Sequence, residues 1–276
     1  MPMRPRFPVA RLTATAALTL ALATIGLGPA SAHGADPASA PGGQPEPAYT
    51  VSVSTSASAT DFDHRAVDVT GTVSRADGSP VAGAPVELGK AVLYNTWNPW
   101  GDPIDPTERE YLKLGTVRTD ADGRFTLPDV TADRWENTDS VHLFPRHQVE
   151  FQASYDPGPP DDNEIYFGDT TVRAQAVASS ISYKVNRTKV RAGDTLVVTG
   201  KVTWPAGHGP VAGTRVLLRT YYESAYNART TTDARGNFTV RARIRSYDRD
   251  FVLFSAPKDY YLAGASKDLP VKNVTP

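Results

Sequence analysis

Val69-Thr70-Gly71-Thr72-Val73-Ser74-Arg75-Ala76-Asp77-Gly78-Ser79-Pro80-Val81-Ala82-Gly83-Ala84-Pro85-Val86-Glu87-Leu88 alternates apolar and polar residues, breaks at Asp-Gly, and resumes as a short apolar strand. The chain repeats the phrase from Val198 to Leu218, as Val-Thr-Gly-Lys-Val followed by Pro210-Val211-Ala212-Gly213. Each copy leads to a second shared phrase, Thr119-Asp120-Ala121-Asp122-Gly123-Arg124-Phe125 and Thr232-Asp233-Ala234-Arg235-Gly236-Asn237-Phe238. Two phrases recurring in one order predict one fold used twice. Period-two alternation predicts strands with one wet face. Asp and Gly supply the left-handed conformations of a tight turn, so a hairpin is expected across Ala76–Ser79. Long helical periodicity is absent. The expectation is an all-β fold, two tandem Greek-key β-sandwiches of about seven strands each.

The ends of the chain bound its class. Arg4, Arg6 and Arg11 precede an uncharged apolar run from Leu12 to Leu27, and Ala30-Ser31-Ala32 has the small-residue pattern of a cleavage site. Residues 1–32 therefore read as a signal peptide, because a run of about 16 apolar residues is shorter than the roughly 20 that span a bilayer. Residues 33–48, rich in Pro, Ala and Gly, read as a disordered tether. The first sandwich is expected over 49–178 and the second over 179–276. A net charge of −1, made more acidic by loss of the leader's three Arg, argues against nucleic-acid binding. With no Cys in 276 residues, disulfides, thiol nucleophiles and sulfur-ligated metal sites are excluded.

The paired phrases resemble the bacterial immunoglobulin-like and carboxypeptidase-regulatory-like (transthyretin-like) modules. The matching pieces are Val-Thr-Gly-x-Val, Pro-Val-Ala-Gly at 80–83 and 210–213, and Thr-Asp-Ala-x-Gly-x-Phe at 119–125 and 232–238. The resemblance implies Greek-key sandwiches serving as accessory, adhesive or spacer modules of exported bacterial proteins. It brings no catalytic residues, and such folds carry many unrelated functions.

Five constellations could carry chemistry. The first copy is enlarged between Lys90 and Tyr111, a stretch holding Tyr94, Trp97, Trp100, Asp102, Asp105, Glu108 and Glu110. Aromatic rings with nearby carboxylates suit a sugar, and loops on rigid sandwiches carry function. The competing expectation is that the rings fold back as a satellite of the core. Arg241, Arg243 and Arg245 alternate with Val240, Ala242 and Ile244, forming a basic stripe opposite a core face, and Arg215 and Arg219 share a face elsewhere. Asp120-x-Asp122-Gly123 lacks the further oxygen ligands of a calcium loop, and the second copy has Arg235 in place of Asp122, so a turn explains both. Asp156, Asp161, Asp162, Glu164 and Asp169 read as a solvated acidic loop, and His142 and His147 lack a third metal ligand in sequence.

No nucleophile elbow, zinc-protease signature, phosphate loop or dinucleotide fingerprint occurs, and no cofactor is expected. The reading is a secreted, non-catalytic binding or scaffold protein that meets a polysaccharide, another cell-envelope component or a protein partner, with no nucleic acid and no membrane span after signal cleavage. A carbohydrate-binding protein using Tyr94, Trp97, Trp100 and Asp102 is the alternative. A hydrolase built on carboxylates such as Asp105 and Glu108 is the third reading.

Overall fold

The computed structural model describes residues 47–95, 107–135, 145–159, 164–220 and 228–276, all within one compact unit. Every regular element among them is a strand. The signal and most of the tether lie outside the described residues. The first copy runs through β1 (Tyr49–Thr55), β2 (Ala59–Thr60), β3 (Ala66–Arg75), β4 (Pro85–Asn95), β5 (Thr107–Arg118), β6 (Arg124–Thr131), β7 (Pro145–Tyr155) and β8 (Tyr166–Ala174). After β9 (Val177–Ala178), the second runs through β10 (Ser180–Val185), β11 (Lys189–Val190), β12 (Thr195–Thr203), β13 (Arg215–Thr220), β14 (Ala228–Thr231), β15 (Asn237–Arg243), β16 (Phe251–Ala256), β17 (Leu262–Ala263), β18 (Ser266–Asp268) and β19 (Lys272–Asn273).

The repeated phrases become repeated topology. In the first copy a three-stranded sheet ordered β1-β3-β6 faces a five-stranded sheet ordered β2-β8-β7-β4-β5. In the second, β10-β12-β15 faces β14-β13-β16-β18, and β11 pairs in parallel with β19 as β2 does with β8. Strand alternation drives the closure of each sandwich. Val69 and Val73 on β3 meet Val86, Val92 and Phe151 from the facing sheet, while Val198, Phe238 and Val240 meet Val216, Leu218 and Leu253. Burying such side chains stabilises each by about 1.5–3 kcal/mol.

The hairpin expected across Ala76–Ser79, and the turn at Asp120–Gly123, instead cross between the layers. Gly78 N–H does donate to the Arg75 carbonyl at 2.9 Å, and Ser74 bridges Pro80. Yet β3 pairs with β1 and β6, whereas β4 pairs with β5 and β7. Val69–Leu88 therefore crosses from one layer to the other. Asp120–Gly123 likewise carries the chain from β5 in one sheet to β6 in the facing one. Alternation determines which face of a strand is buried; it does not choose the neighbour, and here both apolar faces close on each other.

The repeated residues are the ones this crossing needs. A Cβ at Gly71 would stand 2.0 Å from the Ser52 carbonyl and 2.2 Å from the Phe125 ring; one at Gly200 would stand 2.0 Å from Ser182 and 2.6 Å from Phe238. The Gly of Val-Thr-Gly is thus the seat of the Phe that closes the second phrase. Asp120 Oδ1 accepts from the N–H groups of Asp122 and Arg124, and Asp233 Oδ1 accepts from those of Arg235 and Asn237. Thr119 and Thr232 each donate a buried hydroxyl to the carbonyl of Val81 or Val211.

Among the described residues the two sandwiches meet at the loop that carries Tyr260 and Tyr261, and again where the Phe62 and His208 rings lie 4.7 Å apart. Tyr260 and Tyr261, which belong by sequence to the second copy, are buried in the core cluster of the first with Val67, Val92 and Phe151. The Tyr261 hydroxyl donates to the Ala132 carbonyl at 2.7 Å and lies 2.8 Å from the Thr60 hydroxyl, and the Tyr260 hydroxyl donates to the Gln148 carbonyl at 3.2 Å. Arg65 joins Asp133 and Asp259 at 2.9 Å each and stacks 4.5 Å over the Tyr261 ring. β9 pairs in parallel with β17 beside this plug.

Candidate functional site

The outward face of the five-stranded sheet carries a trough whose walls are apolar rings. On β4 the residues that face outward include Glu87, Gly89 and Ala91, because Val86, Leu88 and Val92 take the core. Glu87 lies opposite Thr116 on one side and Ser154 on the other; Ser154 in turn lies opposite Phe167. Gly89 lies between Lys113 and Gln152. Neighbouring strands are about 4.8 Å apart, so the four-strand row from β5 to β8 is about 14 Å wide.

Tyr111 forms one wall. Its ring lies against β4 where Gly89 has no side chain: a Cβ there would sit 2.1 Å from the Tyr111 oxygen and 2.3 Å from Cζ. The ring remains 50% exposed. Phe167, 59% exposed, and Ile165, 51% exposed, form the opposite wall. Glu87, Gln152, Ser154 and Asp156 line the hollow between them, about 430 Å³ in volume. Partial burial, and then the nearby Glu87 carboxylate, hold the Tyr111 hydroxyl above the ordinary phenol pKa, so it stays a hydrogen-bond donor. Glu87 pairs with Lys113, Glu150 pairs with Arg109, and Asp156 Oδ1 accepts from Gly158 N–H. The trough thus offers ring faces, hydroxyls, an amide and two carboxylates, of which Glu87 is ion-paired and Asp156 is held by a backbone N–H.

The sequence-derived sites map onto this structure unevenly. Tyr94 is fully buried beside Val149 and Phe151, its hydroxyl donating to Glu110 at 3.1 Å. It is a core residue, contrary to the expectation of a surface ring, because even-numbered β4 positions face inward. Trp97, Trp100, Asp102 and Asp105 lie outside the described residues, as do Asp161, Asp162 and His142. Asp169 is on β8, where it lies opposite Gln152, not in a loop. His147 is packed against Tyr260, ring centroids 5.3 Å apart. Among the described residues no three His, Asp or Glu groups converge as metal ligands would.

The basic stripe splits. Phe238, Val240, Ala242 and Ile244 are buried, with Arg241 and Arg243 exposed between them, as alternation requires. Arg245 leaves the stripe: it pairs with the fully buried Asp248 at 2.8 Å and covers the Tyr247 ring at 4.7 Å. Arg219 is 3% exposed, so it makes no solvent-facing stripe with Arg215.

Sequence reasoning missed Phe167 and Ile165. The signal was present in Ile165-Tyr166-Phe167, three consecutive apolar residues of which strand alternation must turn one set outward. Tyr166 is the residue of the three that packs toward the core.

No family model matches the chain, and no curated protein matches it. Among solved structures it is similar to a Ca2+-stabilized adhesin described as helping an Antarctic bacterium reach out and bind ice, at 19% identity and TM-score 0.29, over 79% of this chain and 47% of that one. It is also similar to the adhesin InvE of Yersinia pseudotuberculosis, at 11% identity and TM-score 0.29, over 79% and 58%. A third similar structure is the D0-D1 domain of intimin, at 17% identity and TM-score 0.25, over 80% and 96%. The chain spans about half the length of the first two. At these identities and scores the likeness says nothing about what the chain binds.

Proposed function

We propose that this is an exported, non-catalytic binding protein that holds a neutral, polyhydroxylated glycan in the trough of the five-stranded sheet. Export rests on the leader of residues 1–32. The observation that carries the binding reading is the pairing of exposed rings, Tyr111 facing Phe167, across a floor of Glu87, Gln152 and Ser154. A sugar ring has apolar C–H faces and a rim of hydroxyls; the walls suit the faces and the floor suits the rim. A concave surface with a few convergent polar groups is the usual form of such a site. No Lys or Arg lines the hollow to hold an anion, and its Glu87 is already paired with Lys113, so the reading is of an uncharged ligand.

The test is calorimetric titration of the purified protein with soluble neutral glycans of plant and bacterial walls, repeated with Tyr111→Ala and Phe167→Ala. Truncating an aromatic anchor costs about 2 kcal/mol or more, close to thirtyfold in affinity. The expected result is a saturable heat with at least one glycan that weakens by that order in both variants, while their unfolding midpoints hold. Equal binding by wild type and both variants, or binding by none of the glycans, rejects the trough.

A further inference from the structure

We propose that the outer face of the sheet β10-β12-β15 is a second binding site, for an anionic glycan. The outward positions are Ser180, Ser182 and Lys184 on β10, Thr195, Val197, Thr199, Lys201 and Thr203 on β12, and Asn237, Thr239, Arg241 and Arg243 on β15. Four are cationic and none is acidic. Among the described residues none of the four makes an ion pair; of the acids at the ends of the face, Asp194 is held by Arg187 at 3.3 Å and by Arg191 N–H, Asp233 accepts from Asn237 at 3.0 Å, and Asp248 is paired with Arg245. The cations are distributed over successive rows. Lys201 lies opposite Asn237, Lys184 opposite Thr199, Arg241 opposite Val197 and Arg243 opposite Thr195. With rows about 6.7 Å apart, the band from Lys201 to Arg243 is about 20 Å long. That length suits a chain of repeated charges better than a single small anion.

The first copy is an internal control. Gly71 is paired with Val53 and Phe125 as Gly200 is with Tyr183 and Phe238, which aligns the two sheets residue by residue. Lys184 then corresponds to Ser54, Lys201 to Thr72 and Arg241 to Pro128. The correspondence ends before Arg243, where Asp129 turns the first copy aside with a φ of 55°. In the first copy the face is closed by hydroxyls, Ser54 to Thr70 at 2.9 Å and Ser52 to Thr72 at 2.7 Å. The fold therefore stands without charge at these positions, and the second copy's cations are not structural. Isolated surface charges cost little, so an unpaired set of one sign is a field directed at solvent.

The composition of the face narrows the ligand. It has no aromatic ring on which a base could stack, and hydroxyls of Ser182, Thr199 and Thr239 lie between the cations, matched to sugar hydroxyls. Carboxylate and phosphate groups on a glycan share the chemistry required. The site is separate from the trough, and its outcome does not depend on the trough's.

The test measures binding of the purified protein to polygalacturonate, a phosphomannan, neutral dextran and duplex DNA across a range of salt. The variants are K184S/K201T, R241T/R243T and all four together, with unfolding midpoints as the folding control. The expected result is binding to one or both anionic glycans that weakens at least tenfold in each pair variant, and whose salt slope falls by about one for each cation removed. Preference for polygalacturonate over the phosphomannan assigns carboxylate, and the reverse assigns phosphate; either supports the site. Dextran binding as tightly as the charged glycans, DNA binding more tightly than both, or folded variants with unchanged affinity and slope overturns it.

Discussion

At the scale of single residues, the shared phrases are explained by close approaches that admit no substitute. Gly200 sits under the Phe238 ring and against the Ser182 carbonyl, so Gly200→Ala must displace backbone or expel a buried ring. Overpacking of this kind typically costs 1–3 kcal/mol. We expect the midpoint of urea unfolding to fall accordingly, and Gly71→Ala to act the same way in the first copy. A normal midpoint for either variant would mean the ring moves aside freely. His147 adds a pH dependence. Burial, with Arg134 nearby, lowers its pKa against a hydrogen bond with the Tyr260 backbone, and its φ is 53°. A histidine depressed in the folded state binds more protons when unfolded, so stability is lost as pH falls through about 6.5, the ordinary value, toward the folded one. Thermal melts between pH 7.5 and 5.5 should show a declining midpoint whose slope is reduced in His147→Gln; an unchanged slope excludes His147 as the source.

Elements were legible in part. β15 follows its alternation residue for residue, with Phe238, Val240 and Ala242 in and Thr239, Arg241 and Arg243 out. β4 does not alternate in burial, since Leu88 to Tyr94 are all buried, and within its apolar run from Ala91 to Tyr94 only the register and the core clusters show that Val92 and Tyr94 point into the sandwich. Tyr94 therefore reads as a loop ring in sequence and is a core residue in the fold. Lys90 makes the same point. It faces inward, where Nζ donates to the carbonyls of Thr131 and Asp133 at 2.9 and 2.8 Å, and burial lowers its pKa. The pair formed by Arg65 and Asp133 pulls in two directions. Burial depresses the Arg65 guanidinium but its two carboxylates outweigh it, while burial raises the Asp133 carboxyl despite Arg65. The geometry, 2.9 Å on each arm, favours the ion pair, with the desolvation borne by the more buried Asp133.

For the whole molecule, the Tyr260–Tyr261 plug makes the two sandwiches share a core. The pair contributes two buried aromatic side chains to a cluster otherwise drawn from the first copy. Tyr261→Ala removes the ring, the Ala132 hydrogen bond and the surface under Arg65 together. A large-to-small change of this kind costs about 3–5 kcal/mol. Calorimetry should show one unfolding transition in the native protein and two in Tyr261→Ala, the earlier belonging to the first copy. A single transition in the variant means the sandwiches are coupled by other contacts.

The amino-acid order alone specifies the all-β class and the repetition, because alternation and a duplicated Gly–Phe pairing are local or nearly local constraints. It also located Arg241 and Arg243 on an outward face. Tertiary structure alone decided which strands became neighbours, that the turns cross between layers, and that Tyr111 faces Phe167 although 56 positions separate them. It alone brought Lys184 and Lys201 beside the arginines and placed Tyr261 in the core of the other copy. The physical reason is that the alternation of a strand specifies its wet and dry sides, whereas pairing and docking are chosen by the packing of the dry sides against one another.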